Sequence, residues 1–165
     1  MLLRLAEPQD RQAIIRLIDR VLKEYGDEIC LTGADDDLTD IDRHYQQVGG
    51  AFVVLDDEGT VRGTHAVRPD GTRAHVCYLC RLYLEQPLRG TDWSTQLMDW
   101  AFKWAAAHGA RRVELWSDTR FERAHAFFRR YAFRHDGRIR AMTDGVAPYR
   151  EYFFYRDLGR PEIDR

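Results

Sequence analysis

Apolar residues recur along this chain with two distinct periods, and the switches between them predict a succession of strands and helices. Residues 2–6 alternate as a short strand. Residues 9–25 follow as a helix with Ile14, Ile15, Ile18, Val21, Leu22 and Tyr25 on one face, and Gly26 ends it in the position glycine commonly fills after a last turn. A polar stretch leads to a short helical pattern at 38–48. Strands at 50–56 and 61–68 are joined by Asp57-Glu58-Gly59-Thr60, a hairpin signal, and Pro69-Asp70-Gly71-Thr72 turns the chain into a longer strand at 74–84. A helix at 93–108 buries Trp93, Leu97, Ala101, Trp104 and Ala105 and stops at Gly109. A strand at 112–117 precedes a helix at 120–131 that spaces Phe121, Ala124, Phe127, Phe128 and Tyr131 at helical intervals. Strands at 137–143 and 150–157 flank a Gly145/Pro148 turn. The order is β-α-α-β-β-β-α-β-α-β-β. A meander followed by a strand-helix-strand crossover predicts an α/β fold, with a mixed, mostly antiparallel sheet of about seven strands and helices on both faces. Residues 1–158 are expected to form a single domain and 159–165 a frayed C-terminal tail.

Composition narrows the class of function. A chain of 165 residues, 44% hydrophobic and 32% charged, is globular and long enough for a core without disulfides or metals. No apolar run reaches the ~20 residues that span a bilayer. The first residues turn acidic too soon for a signal peptide, so the cytoplasm is the expected location. A formal net charge of −2 gives no global field for nucleic acid, and the arginines at 129, 130, 134, 138 and 140 read as a solvated face. Asp35, Asp36 and Asp37, with Asp40 and Asp42, read as helix-capping carboxylates, or else as a lure for a cationic acceptor. Cys77 and Cys80 match a C-x-x-C pattern, but in a strand they point to opposite faces and cannot clasp one ion. The histidines show no ligand spacing, so no metal is expected.

Two segments carry chemistry. The first is Leu82-Tyr83-Leu84-Glu85-Gln86-Pro87-Leu88-Arg89-Gly90-Thr91-Asp92-Trp93-Ser94, which ends a strand and opens a helix. The second is Ala124-His125-Ala126-Phe127-Phe128-Arg129-Arg130-Tyr131-Ala132-Phe133. Together with the element order, they resemble the GNAT superfamily of acyl-CoA N-acyltransferases over nearly the whole chain. The resemblance implies that Arg89, Gly90, Thr91, Asp92, Trp93, Ser94 and Thr95 cradle the CoA pyrophosphate with unpaired N–H groups at a helix start. It implies that the backbone of Leu82, Tyr83 and Leu84 bonds the pantetheine arm, with Phe121 and Phe128 beside the donor. Two departures stand out. Asp92 occupies a family glycine, where it would either repel phosphate or cap the helix. Phe128 takes the place of the tyrosine that protonates the departing thiolate, and Ala132 replaces another glycine. Phe128 reads as a packed aromatic, and Tyr131 as either a surrogate donor or a packed residue.

In the family the acceptor amine enters between the fourth and fifth strands. Tyr78, Cys80 and Arg81 on one strand and Trp116, Ser117 and Asp118 on the other are candidates to line that gap, with Asp118 or Tyr78 ordering a water that deprotonates the ammonium. The implied activity is transfer of an acetyl or short acyl group from acyl-CoA to an amine of a small molecule or peptide. Homodimers are common among such proteins. Two alternatives stand beside it: a carrier-protein thioester as donor, or a non-catalytic binding module that has lost CoA. The first predicts that Asp92 caps the loop amides. The second predicts that Tyr78, Trp93 or Trp116 closes the gap.

Overall fold

A computed structural model describes residues 1–159; all but the first residue of the tail expected at 159–165 lies outside the described residues. Seven strands form one sheet in the order β1-β2-β3-β4-β5-β7-β6. These are β1 (Leu2–Leu5), β2 (Ala51–Asp57), β3 (Thr60–Pro69), β4 (Val76–Leu84), β5 (Arg112–Asp118), β6 (Arg134–Met142) and β7 (Tyr149–Asp157). The helices are α1 (Arg11–Lys23), α2 (Asp92–Ala107) and α3 (Glu122–Arg130). Every neighbouring pair is antiparallel except β4 and β5, which run parallel because α2 carries the chain across between them.

Strand alternation assigns the two faces. Phe52, Val54 and Ala66 pack with Ile14, Leu17, Ile18 and Val21 of α1, whereas Val53 and Leu55 pack with Leu97 of α2. Val113, Leu115 and Phe154 meet Met98 and Ala101 of α2 and Phe128 of α3. Cys77 belongs to the α2 side and Cys80 to the α1 side, as their spacing in a strand requires. Beyond β5 the α1-side face carries arginines on aromatic rings, with Arg138 3.7 Å above Phe153 and Arg140 4.2 Å above Trp116.

One predicted element is replaced. The helix expected at 38–48 is a 3-10 turn at Asp36–Thr39 and a π turn at Asp42–Gln46, separated by Asp40 in an extended conformation (φ −147°). The carboxylates of Asp35 and Asp37 make no cap there; they reach across to Arg81 of β4. That tertiary pull outweighs a local helical pattern only a few residues long.

Candidate active site

The parallel pair β4–β5 is where the sheet opens. It is hydrogen-bonded only over Val76↔Arg112, Cys77↔Val113 and Tyr78↔Glu114. Past Tyr78 the strands separate, leaving the 79–84 edge of β4 without a strand partner on that side. A bulge sets the divergence. Arg81 has φ +55°, the β3–β4 register shifts between Thr64 and Ala66, and the Thr64 hydroxyl donates to the Arg81 carbonyl at 2.8 Å. Cys80 and Arg81 therefore both serve the α1 side, while Leu79 and Leu82 serve the α2 side.

A left-handed arginine needs support, and a buried clamp supplies it. The guanidinium donates to Asp35 (2.7 Å), to Asp37 (3.0 Å from Nε, with a second bond from Nη2) and to the Ala34 carbonyl (3.1 Å). Further donors complete the clamp: the other oxygen of Asp35 accepts from the Cys30 N–H at 2.8 Å, and Asp37 Oδ2 accepts a second bond, from the Tyr45 hydroxyl. Arg81, Asp35 and Asp37 expose only 13%, 8% and 14% of their side chains. These two acids are thus committed to an arginine, which leaves little for an incoming cation. The segment they belong to crosses the mouth of the gap and meets the β6–β7 turn, where the Ala34 N–H donates to the Asp144 carbonyl at 2.8 Å. Gly33 permits that approach, since a Cβ built there would lie 1.9 Å from the same carbonyl oxygen.

Beneath this strap lies a cavity of about 620 Å³ that runs between the sheet faces through the gap. On the α2–α3 side its wall includes His65, Leu82, Met98, Leu115, Ser117 and Phe128; on the α1 side it includes Tyr78, Arg81, Trp116, Arg140, Tyr149 and Glu151. Cys80, Tyr83, Asp118 and Phe121 also line it, so the candidates of the two strand ends come together. Arg89, Gly90, Thr91, Asp92, Trp93, Ser94 and Thr95, at the start of α2, do not line it, nor does Leu84, which is buried against Leu55 and Leu97. Tyr131 lies outside the cavity, at the C-cap of α3, stacked on Phe102 with its hydroxyl 3.4 Å from Asp99. Asp118 lines the cavity, but both of its oxygens accept from Arg120, at 3.0 and 2.6 Å. The Tyr78 hydroxyl accepts from Arg73 at 2.8 Å, and burial raises its pKa. Burial likewise raises the Cys80 thiol, which favours the unreactive neutral form.

Sequence reasoning missed three residues. Glu151 of β7 points into the cavity; both bonds from Arg140 fall on its Oε2, and burial raises its pKa. His125 of α3 is buried with its Nε2 3.1 Å from the Ser117 hydroxyl, and desolvation lowers its pKa. Arg123 extends over Gly90, its Nη2 3.3 Å from where a Cβ would stand. Only Arg123 left a trace in the sequence, as a cation in the first turn of a helix that follows a strand.

The start of α2 also differs in detail from expectation. Thr91 is the N-cap, its hydroxyl accepting from the Trp93 N–H at 3.3 Å, and Asp92 is the exposed first helical residue. Threonine is also a favoured capping residue, and it came one position earlier. Among the described residues the Gly90 and Asp92 N–H groups have no intrachain acceptor. Gly90 has φ +74°. The Arg89 side chain faces the other way, bidentate to Glu24 at 2.6 and 2.7 Å and bonded to the Leu84 carbonyl at 2.9 Å, so it fastens β4 to α1.

An open β4–β5 gap, a helix N-terminus with free amides at the end of the splayed strand, and this strand order form one arrangement, and the comparisons converge on it. The model of the GNAT acetyltransferase family matches residues 16–133. The uncharacterized N-acetyltransferase YjgM of Escherichia coli K12 is 31% identical over 130 residues, covering 77% of this chain and 78% of that protein. Among solved structures, an acetyltransferase from Streptococcus agalactiae 2603 superposes with a TM-score of 0.81 at 18% identity, over 95% of this chain and 98% of that one. The structure of yncA from Salmonella typhimurium, solved with its cofactor acetyl-CoA, gives 0.73 at 14% identity, over 100% and 98%. The chain belongs to the GNAT acetyltransferase family.

Proposed function

We propose that this chain is an N-acyltransferase of the cytoplasm that moves an acetyl or other short acyl group from acyl-CoA to an amine of a small molecule or peptide by direct attack. One observation carries the reading. The cavity passes through the sheet at the β4–β5 gap, so a donor lying along α2 and an acceptor entering from the α1 side meet at one point. CoA supplies an activated thioester; the protein supplies position, which alone is worth several kcal/mol of barrier.

The residues present fit such a donor. The free N–H groups of Gly90 and Asp92 sit at the positive end of α2, where a diphosphate is favoured. The unpaired 79–84 edge of β4 offers backbone groups to an extended pantetheine chain, and Leu82, Met98, Leu115 and Phe128 exclude water from the thioester. Asp92 opposes phosphate by about 1–4 kcal/mol if the charges stand about 4 Å apart. Arg123, across the loop, offsets it with the opposite sign.

On the acceptor side Glu151 is the carboxylate best suited to take the ammonium proton. Asp35, Asp37 and Asp118 each bond an arginine through both oxygens or a second donor, whereas Glu151 keeps Oε1 without a partner among the described residues. Its raised pKa makes it a stronger base than an exposed glutamate. The two alternatives draw less support: Thr91 rather than Asp92 caps the helix, and the gap stands open between Tyr78 and Trp116.

The test is thiol release from acetyl-CoA with a panel of primary amines, with product masses measured. Acetylated amine in stoichiometric step with free CoA is expected. Binding of CoA with no amine-dependent release across the panel would count against the transferase reading.

A further inference from the structure

The donor-side wall of the cavity is apolar along Leu79, Leu82, Met98, Leu115, Ala124 and Phe128, yet Ser117, a hydroxyl-bearing residue, also lines it. Valine or isoleucine would fill that strand position without the cost of desolvating a polar group. The hydroxyl is joined to a buried imidazole: His125 Nε2 lies 3.1 Å from Ser117 Oγ, with 4% of His125 and 8% of Ser117 exposed. His125 stands one turn before Phe128 on α3, the residue whose ring fills the place of a proton-donating phenol. A hydroxyl on a residue that lines the cavity, backed by a histidine that does not, has the form of a relay.

Resting on the acyltransferase reading above, we infer that Ser117 and His125 shuttle the proton that must pass from the attacking nitrogen to the departing sulfur. When the amine nitrogen bonds to the carbonyl carbon it carries one proton too many. Ser117 Oγ accepts that proton while passing its own to His125 Nε2. As the carbon–sulfur bond breaks, the proton returns by the same path to the sulfur, which leaves as a thiol. The amide forms, the thioester is consumed, and serine and histidine end as they began. No tyrosine is required, which accounts for Phe128.

The surroundings of His125 suit a base that is empty at neutral pH. Burial lowers its pKa first, with Arg129 adding to the effect; Asp118 and Glu122 act in the opposite sense. Tyr152 of β7 meets the ring edge at 5.5 Å, with His135 of β6 beyond it, 5.0 Å from Tyr152. Burial therefore favours the neutral imidazole, which is the form able to accept a proton.

The bland account of the pair is an anchor that pins α3 to β5, and the experiment must separate the two. The His125 ring of the intact chain is followed by NMR through a pH titration, alone, with CoA, and with desulfo-CoA, which lacks the thiol. Amide shifts at 90 and 92 report whether either ligand is bound. The shuttle predicts midpoints for His125 that differ between CoA and desulfo-CoA by roughly half a unit, and a difference that disappears in Ser117→Ala. Loop shifts with both ligands and one unchanged His125 midpoint would overturn the shuttle and leave the acyltransferase reading standing. No loop shift with either ligand would remove that reading and this one with it. With a turned-over amine, His125→Gln should lower kcat at least tenfold and remove one ionisation from the acid limb of its pH profile, leaving that of Glu151, while KM for acetyl-CoA stays within twofold. A rise in KM with the shape of the acid limb unchanged marks an anchor and overturns the proposal.

Discussion

Replacing Arg81 with methionine removes the one cation of a clamp whose two carboxylates remain buried. Arg81 donates to Asp35 and Asp37 at hydrogen-bond distance, and all three side chains are at least six-sevenths hidden from water. Breaking such a group by deleting one partner costs about 3–5 kcal/mol, because the charge left behind has neither water nor a counterion. Methionine keeps the stem's volume, so little of that loss is cavity. A set of three substitutions, Arg81→Met, Asp35→Asn and Asp37→Asn, removes every charge at once. It should recover most of the loss, to within about 1–2 kcal/mol of the parent, since a neutral replacement of a whole buried ion group is close to neutral in stability. Urea unfolding of the three proteins at pH 7.5, with m held common, gives both differences. A cost below about 1 kcal/mol for Arg81→Met would refute the reasoning. So would a triple variant no more stable than the single one. The clamp also holds the left-handed turn of β4 and the strap over the cavity, so Arg81→Met should raise the acceptor KM more than that of the donor.

Other expectations follow from single positions. Ala132 sits at φ +58° and is exposed, so Ala132→Gly should add about 1 kcal/mol to stability, read from the unfolding midpoint; a loss would contradict the strain assigned to it. His65 is fully buried, its Nδ1 3.0 Å from the Leu97 carbonyl, and burial lowers its pKa to about 4. Its neutral form is the folded one, so the unfolded chain takes up a proton first as pH falls. Stability should be full above about pH 6.5 and decline by about 3 kcal/mol towards pH 4, and His65→Gln should flatten that slope. An unchanged slope in the variant would assign the acid sensitivity elsewhere. Asp92→Gly should tighten CoA binding by at least about fivefold at moderate salt, and equal affinity would remove electrostatic repulsion from the account of the loop. Gly33→Ala forces the strap off the Asp144 carbonyl and should cost about 1–3 kcal/mol; a neutral effect would show that the contact is dispensable.

Element order and fold were legible because long apolar periods dominate them. The face of α1 and the meander need nothing beyond local pattern, and both appear within a residue or two of expectation. What failed depended on partners distant in sequence. The helix expected at 38–48 gives way because Asp35 and Asp37 answer to Arg81, more than forty residues on. The bulge itself falls on an arginine, a residue type that carries no signal for φ > 0. Tyr131 has the right chemistry and helical phase but faces Phe102 and Asp99. Glu151 and His125 gave no warning, since a lone acid in a strand and a histidine in an aromatic helix read as packing until the cavity joins them. The six residues named at the two strand ends all line the cavity, because strand alternation and the parallel crossover fix which side chains meet there.

A CoA site here requires the amides of Gly90 and Asp92 to hold a diphosphate with the Asp92 carboxylate beside them. Isothermal titration of the purified chain with acetyl-CoA and with CoA, at moderate salt, measures that directly. A micromolar dissociation constant, with the two ligands competing for one site, is the predicted result. Absence of binding at millimolar ligand would contradict the central claim that the open β4–β5 gap is a CoA site.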